Sequence, residues 1–301
     1  MLHNSESELP ECIDSIKPAV DSGWAEAILV DNASHDGSAA LGRLMLPSAE
    51  LHELSENRGF AAGVNTGLPF ARGSFVLLLN PDVVVPPRGL QDLVAWMDAH
   101  PEIAAASPEL FGTDGEWGTP GRALPTIWRL ALRTSRLHRL LPRRWAGALL
   151  RGSFWPGGDQ LGVDWVPATA MIVRASAIAA AGPLRDDLFF MYGEDVEWCW
   201  RIGRAGGQIG VCASVVFEHR ASAAATRSWG AEERDRLIDD GMDRACRVIY
   251  GERHARALAW ATALSLAVDA LAPWRAANER AVSARAARRW LTIARSYATA
   301  R

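Results

Sequence analysis

The segment LLLNPDVVV, residues 77–85, joins a run of apolar side chains to a proline and a carboxylate. The apolar run from Phe75 to Leu79 is typical of a strand buried on both faces of a parallel sheet. Pro81 lacks the backbone N–H that a ladder needs, so the strand should end at Asn80. Asp82 then lies at the carboxyl end of a central strand, where open α/β sheets bind their ligands. The alternative is a polar turn between two strands without a ligand. The rest of the chain must distinguish a ligand site from such a turn.

The composition limits the class of protein. A chain of 301 residues is long enough for one large core with an appendage. Its net charge of −3 argues against general nucleic-acid binding, so we expect no nucleic-acid partner. Its four cysteines form no CxxC pair, which indicates reduced thiols. We see no signal peptide and no uncharged run near the ~20 residues of a spanning helix, and we expect a cytoplasmic protein, soluble or peripheral on the inner face of the cell membrane.

The charge is distributed unevenly along the chain. Between Glu116 and Asp159 there is no acidic residue, but there are eight arginines. A solvated cationic helix would account for this stretch. Arginines without acidic partners nevertheless favour an anionic surface or ligand, such as an anionic membrane. The eight are Arg122, Arg129, Arg133, Arg136, Arg139, Arg143, Arg144 and Arg151.

Hydrophobic periodicity predicts an alternation of helices and strands, which favours a doubly wound sheet. The first helix covers residues 5–20, where Ser5 and Glu8 fit a capping box and Pro10 fits a later start. The next elements are a strand over 27–30, a helix capped by Ser38, a strand over 51–54, a helix beginning near 59, the strand over 75–79, a helix over 89–100 and a loop over 108–125.

The second half of the chain predicts strands over 165–174 and 208–217, with a short helix over 175–181. Residues 221–301 are predicted to be helical. They include a charged helix near 232–237, an apolar helix over 257–271 and a basic helix over 280–301. For the apolar helix we expect packing in the core, with membrane contact as the alternative.

Polar side chains collect at the ends of the predicted strands. The first strand opens into the Asp31–Ser38 loop, a pattern typical of a ligand-contacting βα junction and also of an ordinary capped loop. Residues 186–200 interleave five acidic side chains with five aromatic ones. Glu194 and Asp195 are at a predicted helix start, where the helix dipole favours carboxylates. That placement alone would explain them, but not the aromatic residues around them.

Four segments together carry a resemblance to a known family. They are VDNASHDGS at 30–38, NRGFAAGVN at 57–65, LNPD at 79–82 and FFMYGEDVE at 189–197. In this order and spacing they resemble glycosyltransferase family 2, and within it the bacterial rhamnosyltransferase-like branch. The resemblance implies a GT-A type α/β fold with a doubly wound mixed sheet, in which a Rossmann-like donor half is fused to an acceptor half. This domain would cover residues 1–220, with a C-terminal helical extension over 221–301.

The resemblance also implies a donor site and a metal site. Asp31 would accept the N3–H of a pyrimidine base, and Asn80-Pro81-Asp82 takes the place of the DxD motif. There Mg²⁺ or Mn²⁺ would bridge the diphosphate of a nucleoside-diphosphate sugar, held by Asp82 and by His219. The donor-binding set is Asp31, Asn32, Arg58, Asn65, Asn80 and Asp82.

On the acceptor side the resemblance implies a general base. Asp195, with Glu194 beside it, would take the proton of the attacking hydroxyl. Trp165, Asp186 and Tyr192 would contact the acceptor. The implied reaction is inverting transfer of a sugar, as from dTDP-rhamnose, to a lipid-linked saccharide or polysaccharide in cell-envelope glycan synthesis.

Three positions depart from the family pattern. Asn80 replaces a carboxylate, and Ala168 stands where the family carries glycine. The family also begins with an apolar strand, which would be ending at Met1–Asn4, so we expect such a strand to be encoded upstream of Met1. A catalytically inactive nucleotide-binding or scaffold homologue without the first strand is the alternative.

Overall fold

The computed structural model describes residues 1–112, 117–118, 121–142, 145, 150, 158–220, 223–273 and 275–299. The helices are α1 (Leu9–Asp21), α2 (Ser38–Met45), α3 (Gly59–Gly67), α4 (Gly89–Ala99), α5 (Ile127–Thr134), α6 (Ala175–Ala181), α7 (Glu194–Arg204), α8 (Ala223–Tyr250), α9 (Glu252–Leu271) and α10 (Ala277–Thr299). The strands are β1 (Ile28–Asp31), β2 (Glu50–Glu53), β3 (Phe75–Leu79), β4 (Val83–Val84), β5 (Ile103–Gly112), β6 (Trp117–Gly118), β7 (Gln160–Val163), β8 (Ala170–Arg174) and β9 (Gln208–His219).

The strands form two sheets. The larger has the order β3-β8-β5-β9-β4, with β6 beside β5 and β7 beside β9. Strands β5 and β9 run parallel, whereas β8 is antiparallel to both β3 and β5. The smaller sheet is the parallel pair β1–β2. The chain is therefore an α/β protein with a mixed sheet, as the sequence predicted.

Helices cover both faces of the larger sheet. Successive residues of β8 point to opposite faces, so Met171 packs with α7 residues such as Trp198. Ile172 packs on the other face, in a cluster that includes Leu93 of α4 and Phe217 of β9. This layering places the carboxyl ends of β3 and β9 at one rim of the fold.

Strand β5 corrects the sequence-based prediction of a loop over 108–125. It runs through residue 112 and pairs with both β8 and β9. The pairing with β9 shifts register between Pro108 and Glu109, which accommodates a residue that cannot donate to the ladder. An alanine-rich segment with a proline has low strand propensity, so its central position in the sheet is set by tertiary packing.

Strand β3 ends at Leu79, as expected, but it lies at the edge of the larger sheet and pairs antiparallel with β8. Its side chains contact the core on both faces, Leu78 and Val76 on one and Phe75, Leu77 and Leu79 on the other, but only Leu78 is buried, so the predicted burial is partial. A cavity of about 760 Å³ with a largely apolar lining separates β3 from β1. Leu2 pairs with β1 beside this cavity, donating to Val30 O at 2.7 Å and accepting from Asn32 N at 2.9 Å. Leu2 thus takes the position of a strand residue, as the expected strand end at Met1–Asn4 requires.

Neither predicted capping side chain is observed, but the later start of the first helix that Pro10 favours is confirmed. Helix α1 begins at Leu9 with Pro10 in its first turn, and no side chain caps its N-terminus. The Ser5 N–H instead donates to Ser38 Oγ at 2.8 Å, which ties the start of α1 to the start of α2. Gly37 is the N-cap of α2, so Ser38 is its first helical residue.

The C-terminal helices form their own small core. Leu258 and Ala263 of α9 pack with Trp290 and Ala294 of α10, and Leu130 of α5 packs against the same cluster. One face of the predicted apolar helix is therefore core. Helix α8 is interrupted at Gly230, which has non-helical dihedrals. Within the described residues, no helix is long and apolar enough to cross a membrane.

Candidate active site

Asp31 is the last residue of β1 and is buried at the carboxyl end of that strand. Its Oδ2 accepts the Ser34 N–H at 3.0 Å and its Oδ1 accepts the Ser34 hydroxyl at 2.5 Å. An ionised carboxylate offers about four acceptor sites, so two remain for a ligand donor. The loop after β1 therefore fixes the orientation of Asp31 without using up its acceptor capacity.

Asn32 is buried, and its amide is fully used inside the protein. Nδ2 donates to Asn57 Oδ1 at 2.8 Å and to Gly59 O at 3.1 Å. Oδ1 accepts the Arg58 N–H at 2.9 Å. Asn32 therefore holds the segment that carries Arg58. The Arg58 side chain itself is exposed, without a recorded ion pair in the described part of the chain.

Asn65 makes a similar connection between the two halves of the fold. Its Nδ2 donates to Leu184 O at 2.8 Å, and its Oδ1 accepts the Leu184 N–H at 3.0 Å. Nearby, the Phe60 N–H donates to Phe190 O at 2.7 Å. Gly59 has φ +86° and a Cβ there would meet Phe190 O at 2.1 Å, so only glycine permits this approach. Helix α3 is thus bonded to the loop before α7.

Asp82 and His219 come together because β4 pairs with the end of β9. Val83 is opposite His219 in the ladder, which places His219 Nε2 3.3 Å from Asp82 Oδ2. The other Asp82 oxygen, Oδ1, is buried and has no hydrogen-bond partner within the described residues. A buried carboxylate oxygen without a donor fits a cation, and an imidazole nitrogen is a suitable second ligand.

A divalent ion at Asp82 and His219 would need further ligands from outside the chain. Among the residues that the structure describes, no group of three or more His, Cys, Asp or Glu side chains is placed to hold a metal. Asp82 and His219 would supply two ligands, and diphosphate oxygens and water would have to complete the shell. Asn80, two residues before Asp82, is partly exposed.

Glu194 and Asp195 open α7, as predicted, after two residues in the left-handed region, Tyr192 and Gly193. Asp195 Oδ1 accepts the Val196 N–H at 2.8 Å and its Oδ2 accepts the Ala168 N–H at 3.3 Å. Glu194 is buried, and its Oε2 lacks a partner in the described chain. Burial raises the pKa of Glu194 to about 8, with Asp195 adding to the shift, and desolvation also raises the pKa of Asp195. A carboxylate with a raised pKa is better matched to proton transfer near neutral pH.

Two adjacent residues, Ala168 and Thr169, connect the two carboxylate sites. The Asn80 N–H donates to Thr169 O at 2.9 Å, while the preceding residue, Ala168, donates to Asp195. The turn that carries Asp82 and the carboxylate of Asp195 are therefore anchored to consecutive residues. Asp82 and Asp195, 113 positions apart in sequence, are thus held by neighbouring parts of one segment.

Arg122 is a residue of this site that sequence reasoning placed only in the basic stretch. Its backbone pairs with Trp165, and its guanidinium carbon lies 5.5 Å from the centre of the Trp165 ring. From there its charge lowers the pKa of Asp195, against the effect of desolvation. Trp165 Nε1 is buried and makes no hydrogen bond within the described residues, so an indole donor is available to a ligand. No local pattern in the sequence reveals the contact of Arg122 with Trp165.

The remaining predicted residues divide into exposed and structural ones. Asp186 is exposed, and Tyr192 is partly buried, with its carbonyl against Gly241 of α8. Glu197, next along α7, is fully buried and binds Arg201 Nε at 2.8 and 2.9 Å. Glu197 is thus part of an internal ion pair, which leaves Glu194 and Asp195 as the acidic pair at the site.

Comparisons with known proteins find a matching family and similar relatives. The family model described as Glycosyl transferase family 2 matches residues 1–151, half of the chain. An N-acetylglucosaminyl-diphospho-decaprenol L-rhamnosyltransferase of Mycobacterium tuberculosis is 27% identical over 212 residues, which is 64% of this chain and 66% of the relative. The low-salt glycan biosynthesis hexosyltransferase Agl10 of Haloferax volcanii is 27% identical over 68% of this chain and 62% of its own length. The chain thus matches a little under two thirds of the length of these relatives.

Solved structures share the fold. The mannosyltransferase PcManGT of Pyrobaculum calidifontis, in complex with GDP-Man and Mn²⁺, has a TM-score of 0.56 at 19% identity, covering 99% of this chain and 80% of that one. Residues 1–349 of S. aureus TarS give a TM-score of 0.52 at 16% identity, covering 100% and 90%. At these identities the likeness concerns the fold, which is of the GT-A type.

Proposed function

Since the chain belongs to glycosyl transferase family 2, we propose that it is an inverting, metal-dependent glycosyltransferase that uses a nucleoside-diphosphate sugar. The observation that carries the proposal is the anchoring of two unlike acidic sites to consecutive residues, Ala168 and Thr169. One site offers a buried, unpartnered carboxylate oxygen of Asp82 beside an imidazole within the described residues. The other offers the carboxylate of Asp195, whose pKa is raised by desolvation.

On the donor side, the residues of this chain bind and orient. Asp31 accepts a hydrogen bond from the base, and the exposed guanidinium of Arg58 is suited to the base edge or the diphosphate. Asn32 and Asn65 act indirectly, by holding the backbone of Arg58 and Leu184 in place. Asp82 and His219 would hold Mg²⁺ or Mn²⁺, which when bound supplies positive charge to the departing diphosphate.

On the acceptor side, Asp195 takes the proton of the acceptor hydroxyl as its oxygen bonds to the anomeric carbon. The bond from that carbon to the diphosphate oxygen breaks in the same displacement, so the configuration inverts and no covalent nucleophile is needed. Trp165 Nε1 donates a hydrogen bond to the acceptor. Asp186 and Tyr192 flank the same opening. Desolvation raises the pKa of Asp195, and the charge of Arg122 opposes this shift.

For the substrates, we propose rhamnose from dTDP-rhamnose and a lipid-linked saccharide or polysaccharide of the cell envelope. Support comes from the mycobacterial relative, whose name specifies an L-rhamnosyltransferase acting on a diphospho-decaprenol. Such an acceptor would place the protein at the cytoplasmic face of a membrane, where it would act peripherally.

A donor screen tests this function. dTDP-, UDP- and GDP-sugars are offered with Mg²⁺ or Mn²⁺, first by thermal shift and then in transfer to a prenyl-diphosphate N-acetylglucosamine. We expect metal-dependent stabilisation and transfer with dTDP-rhamnose above the other donors. Transfer from another donor would correct the substrate and keep the reaction class.

The cavity between β1 and β3 favours a second candidate, a nucleotide-binding homologue without catalysis. Strand β1 carries Asp31, and that strand is separated from the larger sheet by the cavity. Stabilisation by a nucleotide without transfer or hydrolysis of any donor would support this candidate over the enzyme.

A further inference from the structure

The exposed face of α9 is apolar, although the opposite face is already buried in the C-terminal core. Trp260, Leu264, Val268 and Leu271 are 43, 67, 39 and 82% exposed. They recur every three or four residues and therefore lie along one side of the helix. No charged residue occurs between Arg256 and Asp269. A helix that only packed on the protein would show polar side chains on this face.

Helix α5 packs against α9 and also exposes large apolar side chains. Thr134 Oγ1 is 2.6 Å and Arg133 Nη2 3.2 Å from the hydroxyl of Ser265, the neighbour of Leu264. Large apolar side chains of α5 and the turn after it are also exposed. They are Ile127, Trp128, Leu137 and Leu140, at 43, 49, 56 and 82%. We call the exposed residues of α5, of the 137–140 turn and of α9 together the apolar surface.

The described charges beside the apolar surface are mainly positive. Arg133 is exposed on α5, whose sequence contains no acidic residue, while Arg143, Arg144 and Arg151 of the basic stretch lie outside the described residues. Helix α10, which packs against α9, exposes Arg285, Arg288 and Arg295, and its sequence contains a single acidic residue. The apolar surface thus combines large hydrophobic and indole side chains with flanking guanidinium groups.

We propose that the apolar surface docks the protein onto an anionic lipid bilayer. The stripe would enter the interfacial region, with its tryptophans at headgroup level and the flanking arginines on lipid phosphates. A second copy of the chain fits less well, because an isologous contact would bring the same positive groups face to face. This inference rests on the proposed function in one respect. A lipid-linked acceptor would lie in the bilayer onto which the protein docks.

The position of α5 gives the docking a direction. The α5 segment begins just after Leu124, whose N–H donates to Asp164 Oδ2 at 2.8 Å. Arg122, two residues earlier, lies beside Trp165 at the proposed acceptor site. A bilayer bound to the apolar surface would therefore lie on the acceptor side of the protein.

Co-sedimentation of the full chain tests the docking, with phosphatidylglycerol–phosphatidylcholine vesicles compared with pure phosphatidylcholine. We expect binding to the anionic vesicles that weakens with salt. The double variant Leu264→Ser, Leu271→Ser should reduce it by at least ~10-fold, since two exposed leucines no longer enter the bilayer. Arg133→Gln should reduce it about fivefold. Leu44→Ser is the matched control, because Leu44 is 77% exposed on α2 and should leave binding unchanged.

Two results would overturn the docking. One is equal vesicle binding by the wild-type chain and the double leucine variant. The other is a wild-type dimer in light scattering that the double variant converts to monomer, which would assign the surface to a second copy. Vesicle binding is measured without donor, and transfer to a short-chain acceptor in solution should be the same in both proteins. If the wild-type chain binds vesicles but transfers no sugar to the short-chain acceptor, the proposed function is overturned and the docking is not.

Discussion

The two sides of the site differ in how their polar groups are satisfied. On the donor side the buried amides of Asn32 and Asn65 have their partners inside the protein, and a single carboxylate oxygen, that of Asp82, is left open within the described residues. On the acceptor side two neighbouring carboxylates, Glu194 and Asp195, share a desolvated helix start. The proposed donor side thus leaves one buried oxygen that a cation would fit, whereas the raised carboxyl pKa values on the proposed acceptor side suit proton transfer.

Removal of the base should have the largest effect. Asp195→Asn keeps the shape and the hydrogen bonds from Val196 and Ala168 but cannot accept a proton, so kcat should fall ~10²–10⁴-fold. Donor affinity should be unchanged in calorimetry, because the nucleotide is held on the other side. Asp98→Asn, an exposed site on α4, is the matched control. Loss of donor binding with turnover retained would show that Asp195 is a structural cap.

Asp82→Asn should have the opposite pattern. It removes the charged ligand, so metal-dependent donor affinity should fall at least ~10-fold in calorimetry with Mn²⁺. The residual metal-independent affinity for the nucleoside should persist, since Asp31 is untouched. Equal donor affinity with and without the metal in the wild-type chain would remove the basis for a cation at Asp82 and His219.

The raised pKa of Glu194 on the acceptor side should also affect how stability depends on pH. The folded-state pKa of Glu194, about 8, lies above its ordinary value of 4.5, so the folded chain retains a proton that the unfolded chain loses between these values. Stability from this group is full at acid pH and falls as the pH rises towards 8. Glu194→Gln cannot ionise, so its free energy of unfolding relative to wild type should increase over the same interval. Glu232→Gln, on the exposed part of α8, should show no such trend.

The smallest expected effect is a shift of the pH–rate profile. Arg122 lowers the pKa of Asp195, so Arg122→Gln should raise that pKa and move the acid limb of kcat to higher pH. Arg204→Gln, at the far end of α7, provides a matched loss of charge. An unchanged acid limb would show that Arg122 does not affect the pKa of the base. Its role would then be contact with the acceptor.

The sequence revealed the parts of the site that local chemistry determines. The NPD turn stops β3 because proline cannot extend the ladder, and the paired carboxylates lie at a helix start that the dipole favours. These positions follow from neighbours a few residues apart. They were therefore predictable without knowledge of the rest of the chain.

Long-range pairing set what the sequence did not reveal. Strand β5 has weak local propensity and becomes central only because β8 and β9 flank it. Arg122 enters the site through a backbone pairing with Trp165, 43 positions away in sequence. The roles of Asn32 and Asn65 as internal supports depend on partners such as Leu184, which no motif identifies.

The cavity between β1 and β3 has a consequence for compressibility. The volume lost on unfolding scales with the internal voids that unfolding removes, and this partly open cavity of about 760 Å³ lies among apolar side chains. It lies between β1 of the small sheet and the edge strand β3 of the larger sheet, whose central strands are packed on both faces. Hydrostatic pressure should therefore unfold the β1–β2 region first and release Asp31 while the Asp195 side of the molecule remains folded.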